Sequence, residues 1–191
     1  ATVAAAHLLW QEGHVTPDRP CVFHTLSGEL IATRNGDWIE VSFPAKPPRP
    51  AQEPRGLREA LGAPPIDFGL NDLNYGLVIL ESEDAVRALA PDMTTLKKLP
   101  QLGFTVTARS DDNPYAFISR FFAPNAGVDE DPVTGSAHCM LTPYWCEQLD
   151  RTQMVAYQAS PRGGVVRCRL EGDRVVLGGQ AVTVMRGELL D

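Results

Sequence analysis

The alanine-rich opening from Ala1 to Gln11 is dense in strong helix formers and is stopped by Gly13. Beyond it the pattern becomes strand-like. Val22 to Thr25, Glu29 to Arg34 and Trp38 to Phe43 are predicted strands, the last two joined by Asn35-Gly36-Asp37, a hairpin signal. Five prolines then fall within the eleven residues from Pro44 to Pro54. Such a stretch cannot run through a sheet interior or a helix, so it reads as a stiff connector. A short helix is predicted from Arg55 to Leu61, ended by Gly62. Strands and helices follow in turn: a strand over Tyr75–Leu80, a helix capped by Ser82 and running to Ala90, and a second short helix over Thr94–Leu99. Two more strands, Phe104–Arg109 and Tyr115–Phe122, precede an acidic motif and a helix reaching Gln148. Four short strands are predicted at the end: Met154–Gln158, Val165–Leu170, Arg174–Leu177 and Ala181–Arg186, with Gly172-Asp173 turning the middle pair.

The motif Glu130-Asp131-Pro132-Val133-Thr134-Gly135-Ser136-Ala137-His138 carries the candidate chemistry. Pro132 fixes its own φ and Gly135 permits conformations closed to other residues, so the chain can turn sharply into a helix. Ser136 is the expected cap, with first-turn N–H groups pointing outward, a terminus that attracts carboxylates. Asp131 stands just outside it, placed to move a proton on a docked anion. An ordinary turn and helix cap is the competing reading of the same residues.

The formal net charge of -7 argues against nucleic acid as a partner, because phosphate binding needs a basic face. Hydrophobic residues make up 43% of the chain, as in a folded globular protein, and no apolar run approaches the roughly 20 residues of a membrane span. No basic segment precedes an apolar stretch, so no leader is expected, and the cytoplasm is the expected location. Cys21, Cys139, Cys146 and Cys168 form no C-x-x-C pair and read as buried free thiols rather than metal ligands. His7 and Arg162 are candidates for lining a cleft; the alternatives are a helix histidine satisfied locally and a surface turn.

The chain contains a repeat. Gly28-Glu29-Leu30-Ile31-Ala32-Thr33-Arg34 lies over Gly163-Gly164-Val165-Val166-Arg167-Cys168-Arg169 at an offset of 135, and Trp10 maps onto Trp145 at the same offset. One inserted residue later, Gly36-Asp37 maps onto Gly172-Asp173. A helix, a strand and a hairpin recur in order, which predicts two pseudo-equivalent halves. Ala1 maps onto Ser136. The second half spends Phe68 to Gly135 reaching that point and the first half has no counterpart, so its lobe is expected to be incomplete. The expected division is a remnant of a first lobe over 1–50 and a second lobe over 51–191, with the last strand crossing between them.

Five segments, Ser27-Gly28-Glu29-Leu30, Ser119-Arg120-Phe121-Phe122-Ala123-Pro124, the acidic motif, Pro143-Tyr144-Trp145 and Arg162-Gly163-Gly164, together resemble the PhzF-like phenazine biosynthesis family, related to the diaminopimelate epimerase fold. The similarity runs from Ala1 to Leu189. It implies an α+β fold of two barrel-like halves, each a curled sheet around a central helix, with the active cleft between them. It implies isomerisation or epimerisation of a small carboxylate by proton transfer without a cofactor. Asp131 would be the acid/base or substrate-orienting group, with Thr134, Gly135 and Ser136 holding the substrate and His7, His138 and Arg162 lining the cleft. The family's glutamate base and a Gly-His step belong upstream of Ala1, so activity is expected to be impaired in this chain alone. The two-thiol racemase chemistry of epimerase relatives is not expected, because Asp131 stands where the second thiol would be. The rival reading is a catalytically silent, shortened homologue that binds a ligand or itself. Open strand edges of an incomplete barrel predict a homodimer.

Overall fold

The computed structural model describes residues 1–25, 28–110 and 114–188; Ser27 and Leu189 of the matching segments lie outside them. The first half is α1 (Thr2–Gln11), β1 (Cys21–Thr25), β2 (Gly28–Asn35) and β3 (Trp38–Pro44). Ala6 and Trp10, four apart on one helix face, are buried with Cys21, Leu30, Ala32, Ile39 and Val41. β4 (Arg49–Pro50) and α2 (Leu57–Leu61) lead into β5 (Asp67–Leu70) and β6 (Tyr75–Ile79). α3 (Glu83–Arg87), α4 (Met93–Leu96), β7 (Gly103–Arg109) and β8 (Phe117–Ala123) follow. β9 (Val128–Asp131) enters α5 (Gly135–Leu149), and β10 (Gln153–Gln158), β11 (Gly164–Glu171) and β12 (Arg174–Gly179) complete the order.

The repeat is visible in space. Helix, strand and antiparallel hairpin recur as α1-β1-β2-β3 and α5-β10-β11-β12. One sheet runs through both halves in the order β1-β2-β3-β12-β11-β10-β8-β7-β6-β5-β4, with β9 attached to β8. The halves meet where β3 pairs antiparallel with β12, and there Val41 faces Leu177, its own equivalent in the repeat. A pseudo-twofold axis therefore passes through this ladder. α5 is the axle of the second half: Ala137 to Thr142, Trp145 and Cys146 are all buried, and Trp145 stacks on Phe117 with ring centroids 5.6 Å apart. α2, α3 and α4 cover the opposite sheet face over Phe104, Val106, Ile118 and Phe122. All four cysteines are free and buried, and among the described residues no helix is long and apolar enough to cross a membrane.

Several boundaries differ from expectation for physical reasons. Ala181–Arg186 alternates like a strand but forms none, because both sides of β12 are already taken by β11 and β3. Its polar residues bond to α1 instead: Thr183 Oγ1 donates to Gln11 at 2.7 Å and Arg186 to Glu12 at 2.7 Å, leaving Val182 and Val184 outside. The proline-rich connector does contribute a strand, but only two residues at the sheet edge, where a missing N–H is tolerated. β5 and β9 went unpredicted: β5 is four residues with a central glycine, and β9 is acidic at three of four positions, poor strand composition overridden by tertiary pairing.

Candidate active site

A buried ion pair sets β9 in place. Arg120 on β8 grips Glu130 with two hydrogen bonds of 2.7 and 2.9 Å, and a third guanidinium contact of 2.6 Å reaches the Leu89 carbonyl. The next residue, Asp131, pairs with Phe121 at the end of the ladder and is half-buried. Its carboxylate accepts the Thr134 hydroxyl at 2.5 Å. Gln158, fully buried at the end of β10, closes the loop: its Oε1 accepts from the Thr134 N–H at 2.8 Å, and its Nε2 donates to the Asp131 carbonyl at 2.7 Å and to Thr134 Oγ1 at 3.1 Å. Ser160 Oγ donates to the Pro132 carbonyl at 2.8 Å and accepts from the Gly163 N–H at 3.0 Å. The turn after β10 lies so close to the motif that a side chain at Gly164 would overlap Val133, and one at Gly163 would overlap the Tyr157 hydroxyl.

α5 begins at Gly135, and its cap residue is Thr134, two residues before the expected Ser136. Thr134 does not cap: its hydroxyl donates to Asp131 and accepts from Gln158, and no first-turn N–H reaches it. The N–H groups of Gly135, Ser136 and Ala137 consequently have no acceptor among the described residues, and the positive end of a fifteen-residue helix is left open. That end borders a cavity of about 830 Å³ between the halves. Val133, Gly135 and His138 line it from the motif, Arg162 to Gly164 from the adjoining turn, and Ala1 to Ala4 from the start of α1. The pseudo-twofold thus sets residues of α1 across the cavity from the N-terminus of α5. Arg162 is exposed there without an acidic partner among the described residues. His138 is fully buried; burial pushes its pKa down to about 4, so the ring is neutral. Its Nδ1 lies 2.8 Å from the Thr134 carbonyl, which can only accept, so Nδ1 carries the proton.

Gly135, His138 and Arg162 therefore come together around one cavity. Thr134 is buried beneath it, while Asp131 and Ser136 are half-buried beside it and neither lines its wall. His7 is elsewhere, in a separate hollow of about 480 Å³ with Arg34 and Asp37, and its Nε2 is 3.3 Å from the Thr183 hydroxyl. Sequence reasoning missed Gln158 and the Arg120–Glu130 pair. Gln158 had a signal: Met154, Ala156 and Gln158 share the inward face of a strand, and a glutamine in that row needs polar partners inside.

Two helix-centred lobes that share a sheet and face one cavity make up a diaminopimelate epimerase-like fold, and a structure described as a predicted epimerase from Pseudomonas aeruginosa has the same fold, at a TM-score of 0.71 and 20% identity, with 100% of this chain and 73% of that one covered. The chain belongs to the PhzC-PhzF family of phenazine biosynthesis-like proteins, whose family model matches residues 1–187. It is 46% identical to an uncharacterized isomerase of Halalkalibacterium halodurans over 191 residues, covering 100% of this chain and 72% of that protein. It superposes on the crystal structure of a PhzF-family phenazine biosynthesis protein from Enterococcus faecalis at a TM-score of 0.93 and 34% identity, again over 100% of this chain and 72% of the other.

Proposed function

We propose that this chain carries the substrate-anchoring lobe of an isomerase or epimerase that moves a proton on a small carboxylate without a cofactor. The observation behind this reading is the uncapped end of α5, opening with the start of α1 and with Arg162 onto one cavity. Free N–H groups at the positive end of α5 and a guanidinium make a local anion site in a chain of net charge -7. The substrate carboxylate docks where Gly135 opens the first turn of α5 onto the cavity beside Arg162, and Asp131, just outside that wall, acts as proton donor or acceptor. Four buried free thiols fit a reducing, cytoplasmic setting. To test the reading, anthranilate is titrated against the chain and Asp131→Asn by NMR. Saturable binding that the substitution changes at least tenfold supports it; equally weak binding to both forms refutes it.

A second reading, a silent homologue that self-associates, has one observation of its own. β1 is the outer strand of the sheet, with Val22 and its cross-strand partner Ile31 both exposed. Pairing of two β1 edges would give a homodimer. A monomeric mass by light scattering at micromolar concentration counts against it.

A further inference from the structure

Gln158 makes all three of its side-chain hydrogen bonds with the loop from Asp131 to Thr134. Its amide can sit only one way round. Oε1 must face the Thr134 N–H, which only donates, and Nε2 must face the Asp131 carbonyl, which only accepts. The second Nε2 proton then points at the Thr134 hydroxyl oxygen, 3.1 Å away. That oxygen holds a single proton, which goes to the acceptor-only carboxylate of Asp131, Oδ2 at 2.5 Å, while the Gln158 N–H occupies one of its lone pairs and strengthens the donation. Asp131 Oδ1 has no partner among the described residues.

We infer that Gln158 is a positioning residue that acts through Thr134: it locks the hydroxyl proton of Thr134 onto Asp131 Oδ2 and so reserves Oδ1 as the oxygen that exchanges a proton with substrate. The assignment of a role in proton transfer rests on the reading of Asp131 as the acid/base group. The directed chain from Gln158 through Thr134 to Asp131 does not. Ser160 braces the same loop through the Pro132 carbonyl, but it touches neither Asp131 nor Thr134 and cannot set the direction of that proton.

The test follows the Asp131 carboxyl carbon by NMR in the ligand-free protein, so that it fails or succeeds independently of the anthranilate titration. Gln158→Met is neutral and close in shape but has no donor. Its Asp131 carboxyl resonance is expected to move in the same direction as in Thr134→Val, where the hydroxyl is gone. The double variant is expected to add nothing beyond Thr134→Val, and Thr134→Ser, which keeps the hydroxyl, to leave the resonance in place. An Asp131 resonance unmoved by Gln158→Met but moved by Thr134→Val overturns the proposal, as does one that moves equally in Thr134→Ser and Thr134→Val. If Gln158→Met does not fold, the unmodified protein decides. Both side-chain amide protons of Gln158 are then expected to exchange with solvent on the order of 100-fold more slowly than those of an exposed glutamine; rapid exchange of either overturns the assignment.

Discussion

Replacing Arg120 tests how the motif is held. The guanidinium is nearly buried, with 11% of its side chain exposed against 16% for Glu130, so solvent screening is weak. Arg120→Met keeps the aliphatic volume beside Phe122, whose ring centre lies 4.9 Å from the guanidinium carbon, but strands the Glu130 carboxylate and frees the Leu89 carbonyl. Breaking one side of a buried pair costs about 3–5 kcal/mol. For a chain of this size each kcal/mol shifts the melting temperature by about 2–4 °C, giving a loss of about 6–20 °C. Urea denaturation followed by tryptophan fluorescence, with a melting curve alongside, reads both quantities. Arg120→Met/Glu130→Leu is expected to recover part of the loss, because no charge is left uncompensated. A single substitution costing under about 1 kcal/mol, or a double variant no better than the single, refutes the claim that this pair anchors β9.

Gly164→Ala should cost about 1–3 kcal/mol by driving a methyl group into Val133, with recovery in Gly164→Ala/Val133→Ala, both read by chemical denaturation. His138 sets an acid limit. Its folded pKa of about 4 lies below the ordinary 6.5, so its contribution is present above pH 6.5 and disappears as pH falls towards 4. Between pH 7 and pH 4 the unmodified chain should therefore lose about 3 kcal/mol more than His138→Gln, as measured by urea midpoints at the two pH values. Val22→Lys on the outer face of β1 should reduce any dimer seen by light scattering to monomer without lowering the melting temperature by more than about 2 °C.

The repeat, the hairpins and the two central helices were legible because they rest on local signals: Asn-Gly and Gly-Asp turns, an alanine-rich helix, a Trp at equivalent places in each half. What stayed hidden depends on distant partners. Val128–Asp131 is a strand only because β8 offers it an edge and Arg120 neutralises it. Ala181–Arg186 fails to be one only because its neighbour's edges are filled. At the site, the Thr-Gly-Ser step correctly announced a helix start. Nothing local showed that the Thr134 hydroxyl would leave the first-turn N–H groups uncapped, since one of its partners is a glutamine 24 positions further along the chain.

Pro143 lies in the middle of α5, where it has no N–H to offer the Cys139 carbonyl one turn before it. That carbonyl is not wasted: the Lys46 N–H, just past β3, donates to it at 2.9 Å. A gap in the ladder of the second half's axle is thereby the mooring for the strand arriving from the first. A residue there that could donate would make the connector share its acceptor, so the least helical residue in α5 is the one that leaves this splice between the two halves uncontested.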